Sequence, residues 1–521
     1  MPRLMAVIAL TAVAGGAFAA DLTRSVDALS RQELASVIRL LSDDLLEGRA
    51  PGTRGGELAE LVTEGLLAWT GLAPGWRGEY RQPFTMKGFA TSKLSIEGRG
   101  QRLVFLDEVV GNYLREREEF DLQGEAVFAG FGIRARQWEW DDYKDADLAG
   151  RILIVRVNDP GSVHPDLFEG STLTYFGRWR YKIEEAARVG ARGILLIHTD
   201  SSAGYGWQVV RNSWAGESLH LPAGLGGNLE FAGWVSEAAL GRLLAGSGHD
   251  LAALYAASSR RDFRPVSLGF PLRISGRHAF RTLTANNVVA EIPGKRPERV
   301  VLVAHIDHLG RDERRDGDQI FNGAIDNGSA VAALLLSARI LKQHQEMLTY
   351  GVTILACHAE EEGLLGSTAY VAAAERGQIV AAINFESTPV WGPAGSVMGV
   401  GAEYSTLGEL LQQVARRTGV QVSQFSMTEQ GFFFRSDQFS FARAGIPALW
   451  ISAGEDFASG RNHLREFFTG AYHTPADQFD PAWELESLRQ TVRYAVLLVE
   501  AINRAAERPR WTRPLPFPVD Q

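Results

Sequence analysis

The sequence predicts an α/β fold in which a mixed β-sheet is sandwiched between helices. Three short apolar runs, at 300–304, 352–357 and 379–385, have the length and composition of strands buried on both faces. Each run is followed by acidic residues or histidine, and α/β sheets place their chemistry at the carboxyl ends of their strands. We therefore expect the stretch 300–386 to organise both the fold and the function.

The first apolar run leads into the motif HIDH. If 300–304 is a buried strand, His305 and Asp307 lie at its carboxyl end. Asp326 comes at or just before the amino end of a small-residue and leucine helix predicted over 329–341. A carboxylate is electrostatically favoured at that end of a helix.

The second and third runs add further carboxylates. The strand predicted over 352–357 runs into Glu360, Glu361 and Glu362, which we expect to open another helix through Gly363 and Ser367. Glu386 ends the third strand. Far downstream, the motif YHTPAD supplies Tyr472 and His473 just ahead of a long amphipathic helix predicted over 483–507.

Clustered acids at a buried strand end repel one another and are poorly solvated unless a cation compensates them. Two histidines and three carboxylates suit zinc or a similar divalent ion. A carboxylate shared between two ions allows a two-metal site, with the metals roughly 3.5–4 Å apart. Each of these motifs alone is more simply explained as a loop, a helix cap or a solvated helix start. Their occurrence together in one chain favours the metal site.

The blocks HIDH, GAIDNGSA, AEEEGLLGS, INFE and YHTPAD, in this order, resemble the M28 family of di-zinc aminopeptidases. The resemblance implies a zinc exopeptidase fold, two Zn²⁺ ions per chain, and hydrolysis of amino-terminal residues from peptides with a free amino terminus. It also implies five metal ligands, with Asp326 bridging the ions: His305, Asp326, Glu361, Glu386 and His473.

The same resemblance assigns roles to three further residues. Glu360 matches the general base that takes a proton from the attacking water. Asp307 matches a carboxylate that orients His305, and Tyr472 matches a hydroxyl that helps to hold the oxyanion. His305 and Glu386 are expected on one ion, and Glu361 and His473 on the other.

Two positions depart from the family pattern. Glu386 stands where aspartate is usual, and its extra methylene bears on the geometry of that metal site. Gln438 stands where histidine is frequent, within the block FFFRSDQFSFARAGIPALW. The neighbouring Asp437 either orients His473, lines the pocket, or belongs to a structural turn.

The amino terminus predicts export. Residues 1–19 combine an early arginine, a short apolar stretch and the cleavage pattern Ala17-Phe18-Ala19, as in a secretory signal peptide. We expect a mature protein in the periplasm or secreted. No later run of about eighteen apolar residues is seen, so no membrane anchor is predicted.

A chain of 521 residues suggests two or three domains. We assign 20–121 and 264–521 to the catalytic domain and 122–263 to a β-rich insert. The insert resembles a protease-associated (PA) domain, because a helix with the motif KIEEAARVGARG lies between strands. Its many aromatic residues predict a stacked core or, less simply, a lid over the substrate pocket.

Several other features are assigned no chemistry. A net charge of −9 without any basic run argues against nucleic acid as a partner. Cys357, the lone cysteine, is expected to pack in the core. His308, His344 and His358 are expected at the surface or in packing, and Glu362 in solvent. The turn EGRAPGTRGG either approaches the mouth of the site or only connects two helices.

Two other classes of protein remain open at this point. Glutaminyl-cyclase-like acyltransferases share the core with a single zinc and lack the insert, and receptor-like relatives keep the fold without metals. The ligand set in the sequence favours the peptidase. The sequence does not indicate which side chain is accepted at the amino end of the substrate, and it does not indicate the oligomeric state.

Overall fold

The computed structural model describes residues 18–203, 206–225 and 227–519. A mixed sheet dominates this part of the chain and contains sixteen strands among the described residues. Most of the predicted signal peptide, 1–17, lies outside the described residues. The first element of the described part is a helix over 18–27, which buries Phe18 and Leu22 in the main core.

The three predicted strands of the catalytic segment are confirmed. Arg296–His305 lies between Tyr350–Cys357 and Ile379–Asn384 and is parallel to both. In this register His305 pairs with Cys357, so the polar residues after each strand meet at one edge of the sheet. Helices cover both faces, which explains why these strands are apolar throughout.

Two long helices pack on this part of the sheet, Ala330–Gln343 and Glu486–Arg504. The helical segment Ala324–Gln343 is long and apolar enough to span a membrane by length and composition, although no membrane anchor was predicted from the sequence. Its apolar window is 94% buried inside the protein, as expected for a core helix.

The helix expected to open at the three glutamates begins later. It spans Leu365–Ala373, and the glutamates lie in a turn before it. Ala359 and Leu364 flank this turn with φ angles of 58° and 64°. The turn lets the backbone N–H groups of Glu360 and Glu361 face Asp307 instead of continuing a helix.

One strand of 27 residues, Val266–Ile292, joins the two halves of the sheet. Its carboxyl-terminal part pairs with Tyr350–Cys357, and its earlier part pairs with Glu119–Phe128. It also pairs along most of its length with Arg81–Gly98. The segment Ser218–His220 adds to the far side of Arg81–Gly98.

The half beyond the long strand has the alternation of strands and helices expected for the insert. Its parallel strands follow Glu119–Phe128, and an antiparallel strand closes the edge. The division at 122 and 263 stays a prediction. The strands of this half, in spatial order, are Glu119–Phe128, Ile152–Arg156, Gly193–His198, Phe231–Ser236 and Val109–Tyr113.

The remaining elements complete the two halves. On the catalytic side, the sheet continues through Ala448–Ala453, Ser396–Val400 and Gln421–Ser423. The other α-helices of at least six residues are Arg31–Leu41, Arg54–Trp69, Trp179–Arg188, Trp207–Trp214, Glu237–Leu244, Leu251–Ser258, Leu407–Thr418, Gln438–Arg443 and His463–Thr469.

Candidate metal centre

The carboxylate of Asp326 lies between two histidines at the edge of the sheet. Its Oδ1 is 3.3 Å from Nε2 of His305, and its Oδ2 is 3.2 Å from Nε2 of His473. The side chains of Asp326 and His305 are 2% and 1% exposed, respectively. Each oxygen of one carboxylate therefore faces a different imidazole.

A second carboxylate completes each side. Oε2 of Glu386 is 3.4 Å from Nε2 of His305, and Oε2 of Glu361 is 3.1 Å from Nε2 of His473. The structure thus forms one trio from His305, Asp326 and Glu386, and a second from Asp326, Glu361 and His473. These are the two groupings that the resemblance implies.

The spacing fits two tetrahedral ions. Ligand atoms bound to one zinc at about 2.0–2.2 Å are separated from one another by roughly 3.3–3.6 Å. The nitrogen–oxygen separations of 3.1–3.4 Å within the two trios are close to this value. The mixed imidazole and carboxylate donors also suit zinc.

The electrostatics point the same way. Burial lowers the pKa of His305, but the carboxylates of Glu360 and Glu386 outweigh it, so the net pKa is raised well above its usual value. Burial raises the pKa of Glu361, yet the charge of His473 lowers it to about 2. The site thus concentrates negative charge that divalent cations would compensate.

Glu360 lies beside the trios without belonging to the ligand groups described above. Its Oε2 is 3.9 Å from Nε2 of His305. Burial, assisted by the charges of Glu361 and Glu386, raises the pKa of Glu360 well above its usual value. A carboxyl group that holds a proton readily, next to candidate metal ligands, is suited to general acid and base chemistry.

Asp307 is placed at the site, but its carboxylate does not hydrogen-bond to His305 as the resemblance implied. Oδ1 is 3.8 Å from Nδ1 of His305, and that nitrogen instead faces the backbone carbonyl of Asp307 at 3.2 Å. The carboxylate accepts hydrogen bonds from the backbone N–H groups of Glu360 and Glu361, at 3.1 and 3.2 Å. Asp307 therefore positions the glutamate turn.

Glu386 is held by two serines. Ser436 donates to Oε2 at 2.6 Å, and Ser387 donates to Oε1 at 3.0 Å. The departure at Gln438 has a structural explanation, because Gln438 is buried, accepts from Asn384 and donates to the carbonyl of Phe433. That network fixes the loop that carries Ser436.

A buried arginine from the turn EGRAPGTRGG contacts the backbone next to the site. Arg49 is 1% exposed and donates to the backbone carbonyls of Ile306, Asn322 and Gly323, at 2.8, 2.5 and 3.0 Å, and also to that of Leu41. Burial lowers the pKa of Arg49 to about 10. The turn therefore lies next to the site. Through Arg49 it connects the segment that follows His305 with the segment that precedes Asp326.

Asp477, in the motif YHTPAD, positions the bridging residue. Its carboxylate accepts hydrogen bonds from the backbone N–H groups of Ile325 and Asp326, at 2.9 and 3.0 Å. Tyr472 stacks on His473 with ring centroids 3.8 Å apart. The predicted hydroxyl donor is thus brought next to the second trio.

Other sequence expectations have mixed outcomes. Cys357 is buried in the core as expected. His358 is also buried, and its Nδ1 accepts from the backbone of Ala359. Asp437 is buried, and this burial raises its pKa to about 6 although the charge of His305 opposes the shift.

The expectation for Glu362 was wrong. Glu362 does not simply face solvent, because it accepts a hydrogen bond from the backbone N–H of Leu219 and burial raises its pKa to about 7. His308 is buried, as its packing alternative expected, and it also has a polar contact that was not predicted, since its Nδ1 is 2.7 Å from Oε1 of Glu361. The second histidine of HIDH was the available signal for it.

Comparison with known proteins identifies the segment that carries this centre. Residues 287–499 match the family model described as Peptidase family M28. This segment is an M28 peptidase domain. Both trios, Glu360 and Tyr472 lie within it, whereas Arg49 is contributed from outside.

Solved structures were compared with the whole chain. The aminopeptidase from Aneurinibacillus sp. strain AM-1 matches with a TM-score of 0.52 at 19% identity, covering 96% of this chain and 100% of that chain. BSAP, a zinc aminopeptidase from Bacillus subtilis, matches with a TM-score of 0.43 at 18% identity, covering 92% of this chain and 96% of that chain. The first comparison establishes that the fold is shared.

A curated relative matches part of the chain. The alkaline phosphatase isozyme conversion protein of Escherichia coli (strain K12) is 29% identical over 96 residues. The match covers 18% of this chain and 27% of that protein. It therefore spans about a quarter of the relative's length.

Proposed function

We propose that the chain is a metallo-aminopeptidase that binds two Zn²⁺ ions and removes amino-terminal residues from peptides. The observation that carries the proposal is the placement of Asp326, whose two carboxylate oxygens face His305 and His473 separately. The M28 match over 287–499 supports peptide hydrolysis as the activity. The resemblance in the five motifs supports zinc and the number of ions.

The residues of the chain divide the work. When bound, the two ions would supply Lewis acidity that makes water a better nucleophile and polarises the scissile carbonyl. Glu360, next to the trios, accepts the proton of the attacking water and returns it to the leaving amine. Tyr472 donates its hydroxyl hydrogen to the oxyanion that develops on the substrate. Asp307 keeps Glu360 in place through the backbone.

The proposed cleavage is at a free amino terminus. The free amino group of the peptide would lie near a metal ion or a neighbouring carboxylate, next to the reacting carbonyl, and this requirement makes cleavage exo instead of endo. An N-acylated peptide lacks the free amino group. We therefore expect such peptides to be poor substrates.

The remaining parts of the chain are given supporting roles in this proposal. Export to the periplasm or beyond follows from the signal-like residues 1–19, and the predicted PA-like insert over 122–263 shapes access to the site. Contacts across the halves support the latter role, since Leu219 donates to Glu362 beside the catalytic turn. Tyr175 also packs on Phe439, with ring centroids 4.6 Å apart.

The test is the metal content of the purified mature chain, measured by plasma mass spectrometry, together with hydrolysis of a panel of aminoacyl anilides. We expect two equivalents of zinc and cleavage that stops when a chelator removes them. The N-acetylated form of the best anilide is the matched control and is expected to be left intact.

The same experiment separates the alternatives. One equivalent of zinc with cyclisation of glutaminyl peptides would favour the acyltransferase class. No bound metal and no rescue by added zinc would favour a receptor-like protein. Cleavage of acetylated and free substrates at equal rates would contradict the exopeptidase assignment while leaving the hydrolase in place.

A further inference from the structure

A buried histidine outside the proposed ligand set contacts one of the ligands. His308 is 0% exposed and lies three residues after His305, in the loop that follows the strand Arg296–His305. Its Nδ1 is 2.7 Å from Oε1 of Glu361. Its ring also meets the edge of the His473 ring, with centroids 5.7 Å apart.

The distance distinguishes a hydrogen bond from shared coordination. Two ligand atoms on one tetrahedral zinc lie roughly 3.3–3.6 Å apart, whereas a charge-assisted N–H···O hydrogen bond spans about 2.7–2.9 Å. The separation of 2.7 Å between Nδ1 and Oε1 fits the hydrogen bond. The next carboxylate oxygen, Oδ2 of Asp326, is 3.8 Å from Nδ1, beyond hydrogen-bonding distance.

The two oxygens of Glu361 are thereby given different partners. Oε1 faces His308, while Oε2 is 3.1 Å from Nε2 of His473, within the second trio. An ionised carboxylate only accepts hydrogen bonds, so Nδ1 of His308 carries the hydrogen. Nε2 of His308 is buried without a hydrogen-bond partner among the described residues, so Glu361 provides the polar contact of this ring.

We propose that His308 is a positioning residue for the second metal site, which holds Oε1 of Glu361 so that Oε2 is presented to the ion shared with Asp326 and His473. The inference rests on the proposed function. Asp307 fixes the backbone of Glu361, and His308 fixes its carboxylate. A flexible glutamate is thus ordered before the ion arrives, which removes an entropic cost from binding.

The first metal site has its own separate donors. Ser436 and Ser387 hold Glu386, and neither of these hydrogen bonds involves His308. Loss of the histidine should therefore weaken one ion and spare the other. Selectivity of this kind is not expected from general damage to the fold.

The variants are chosen by where they can place a hydrogen-bond donor. In His308→Asn the amide nitrogen can occupy the position of Nδ1, whereas in His308→Gln the longer side chain places its amide further out. His308→Ala removes the donor altogether. Ser436→Ala is the matched control, because it removes a donor from the glutamate of the other site.

The measurement is titration of the metal-free full chain with Zn²⁺ in the presence of a competing chelator, with the absorption spectrum of Co²⁺ as a second readout. We expect His308→Ala and His308→Gln to weaken one of two ions by roughly 10–100-fold. His308→Asn should stay within about threefold of the wild type at both sites, because a ligand-orienting donor is retained. The double variant with Ser436→Ala should weaken both ions.

Clear outcomes would overturn the inference. Wild-type affinity for both ions in His308→Ala would do so, as would equal losses in His308→Asn and His308→Gln. If the alanine variant does not fold, the asparagine and glutamine pair carries the comparison. A wild-type chain that binds no Zn²⁺ would overturn the proposed function itself, which is a distinguishable result.

Discussion

The carboxylate of Asp477 accepts a hydrogen bond of 3.0 Å from the backbone N–H of Asp326, the residue that links the two trios. A second hydrogen bond, from the N–H of Ile325, uses the other oxygen. Both residues of the pair are buried, at 1% exposure each. The motif YHTPAD therefore contributes to the centre twice, through the imidazole of His473 and through the backbone position of Asp326.

Replacing Asp477 by alanine should weaken both ions, because the bridging carboxylate belongs to both trios. We expect each zinc affinity to fall by roughly 10–100-fold, as for other residues that orient metal ligands. Titration of the metal-free variant with Zn²⁺ measures this. Asp480→Ala, at an exposed position, is the control and should leave both affinities unchanged. A loss confined to one ion would contradict the bridging geometry.

Replacing Glu360 by glutamine should abolish most of the activity while keeping the metals. The amide cannot accept the proton of the attacking water, so turnover should fall at least ~10²-fold. Zinc content and thermal unfolding are measured on the same preparation and should match the wild type. Near-normal turnover of the variant would refute Glu360 as the general base.

Replacing Glu386 by aspartate tests the departure from the usual family residue. Ser436 and Ser387 are placed for the longer side chain, at 2.6 and 3.0 Å from its oxygens. A side chain shorter by one methylene loses these contacts and withdraws from His305. We expect one ion to bind roughly 10–100-fold more weakly, with the other unaffected. A variant that binds both ions more tightly would show that the glutamate strains the site.

The strands and most ligands were predictable because their signals are local. Continuous apolar runs predicted Arg296–His305 and its two neighbours, and the acids and histidines follow those runs directly in the sequence. The glutamate turn was wrongly assigned to a helix, since Glu360 and Glu361 are residues that favour helix starts. Hydrogen bonds to Asp307 hold the turn instead, and nothing in the local pattern reveals them.

Contacts between distant segments could not be read in the same way. Arg49 and Ile306 are 257 residues apart in the chain, yet they share a buried hydrogen bond. The strand Arg81–Gly98 contains Pro83 and Gly88, which are local signals for a break. Pairing with Val266–Ile292 overrides those signals. Such pairing is a property of the assembled sheet.

Replacing Arg49 by methionine should destabilise the fold by at least about 3 kcal/mol, because several buried carbonyl groups lose their donor. The backbone next to Arg49 is closely packed as well, because a side chain at Gly48 would collide with the carbonyls of Gly310 and Phe321. Urea unfolding of the metal-free protein measures the change. Arg54→Met, at an exposed position of the same turn and helix, should be neutral. Lysine at position 49 should not restore stability, because a single ammonium cannot reach carbonyls on several sides.

The last prediction concerns stability in acid. Burial, assisted by the charge of Arg180, lowers the pKa of His220 to about 4 from 6.5. Between these pH values the unfolded chain binds a proton at this histidine and the folded chain does not. The folded state should therefore lose stability as the pH falls through this window, by up to about 1.4 kcal/mol per pH unit from this group.

His220→Asn removes the titrating group. The free energy of unfolding of this variant should therefore fall less steeply than that of the wild type as the pH is lowered from 6.5 to 4. The contribution of the other titrating groups cancels when the pH dependence of the free energy of unfolding of the variant is subtracted from that of the wild type. His220→Gln should give the same difference, which guards against an effect of side-chain size. Parallel slopes in all three proteins would mean that His220 takes up its proton equally in the folded and unfolded chains. The polar contact with Ser218, at 3.1 Å, would then have to accommodate the imidazolium in the native state.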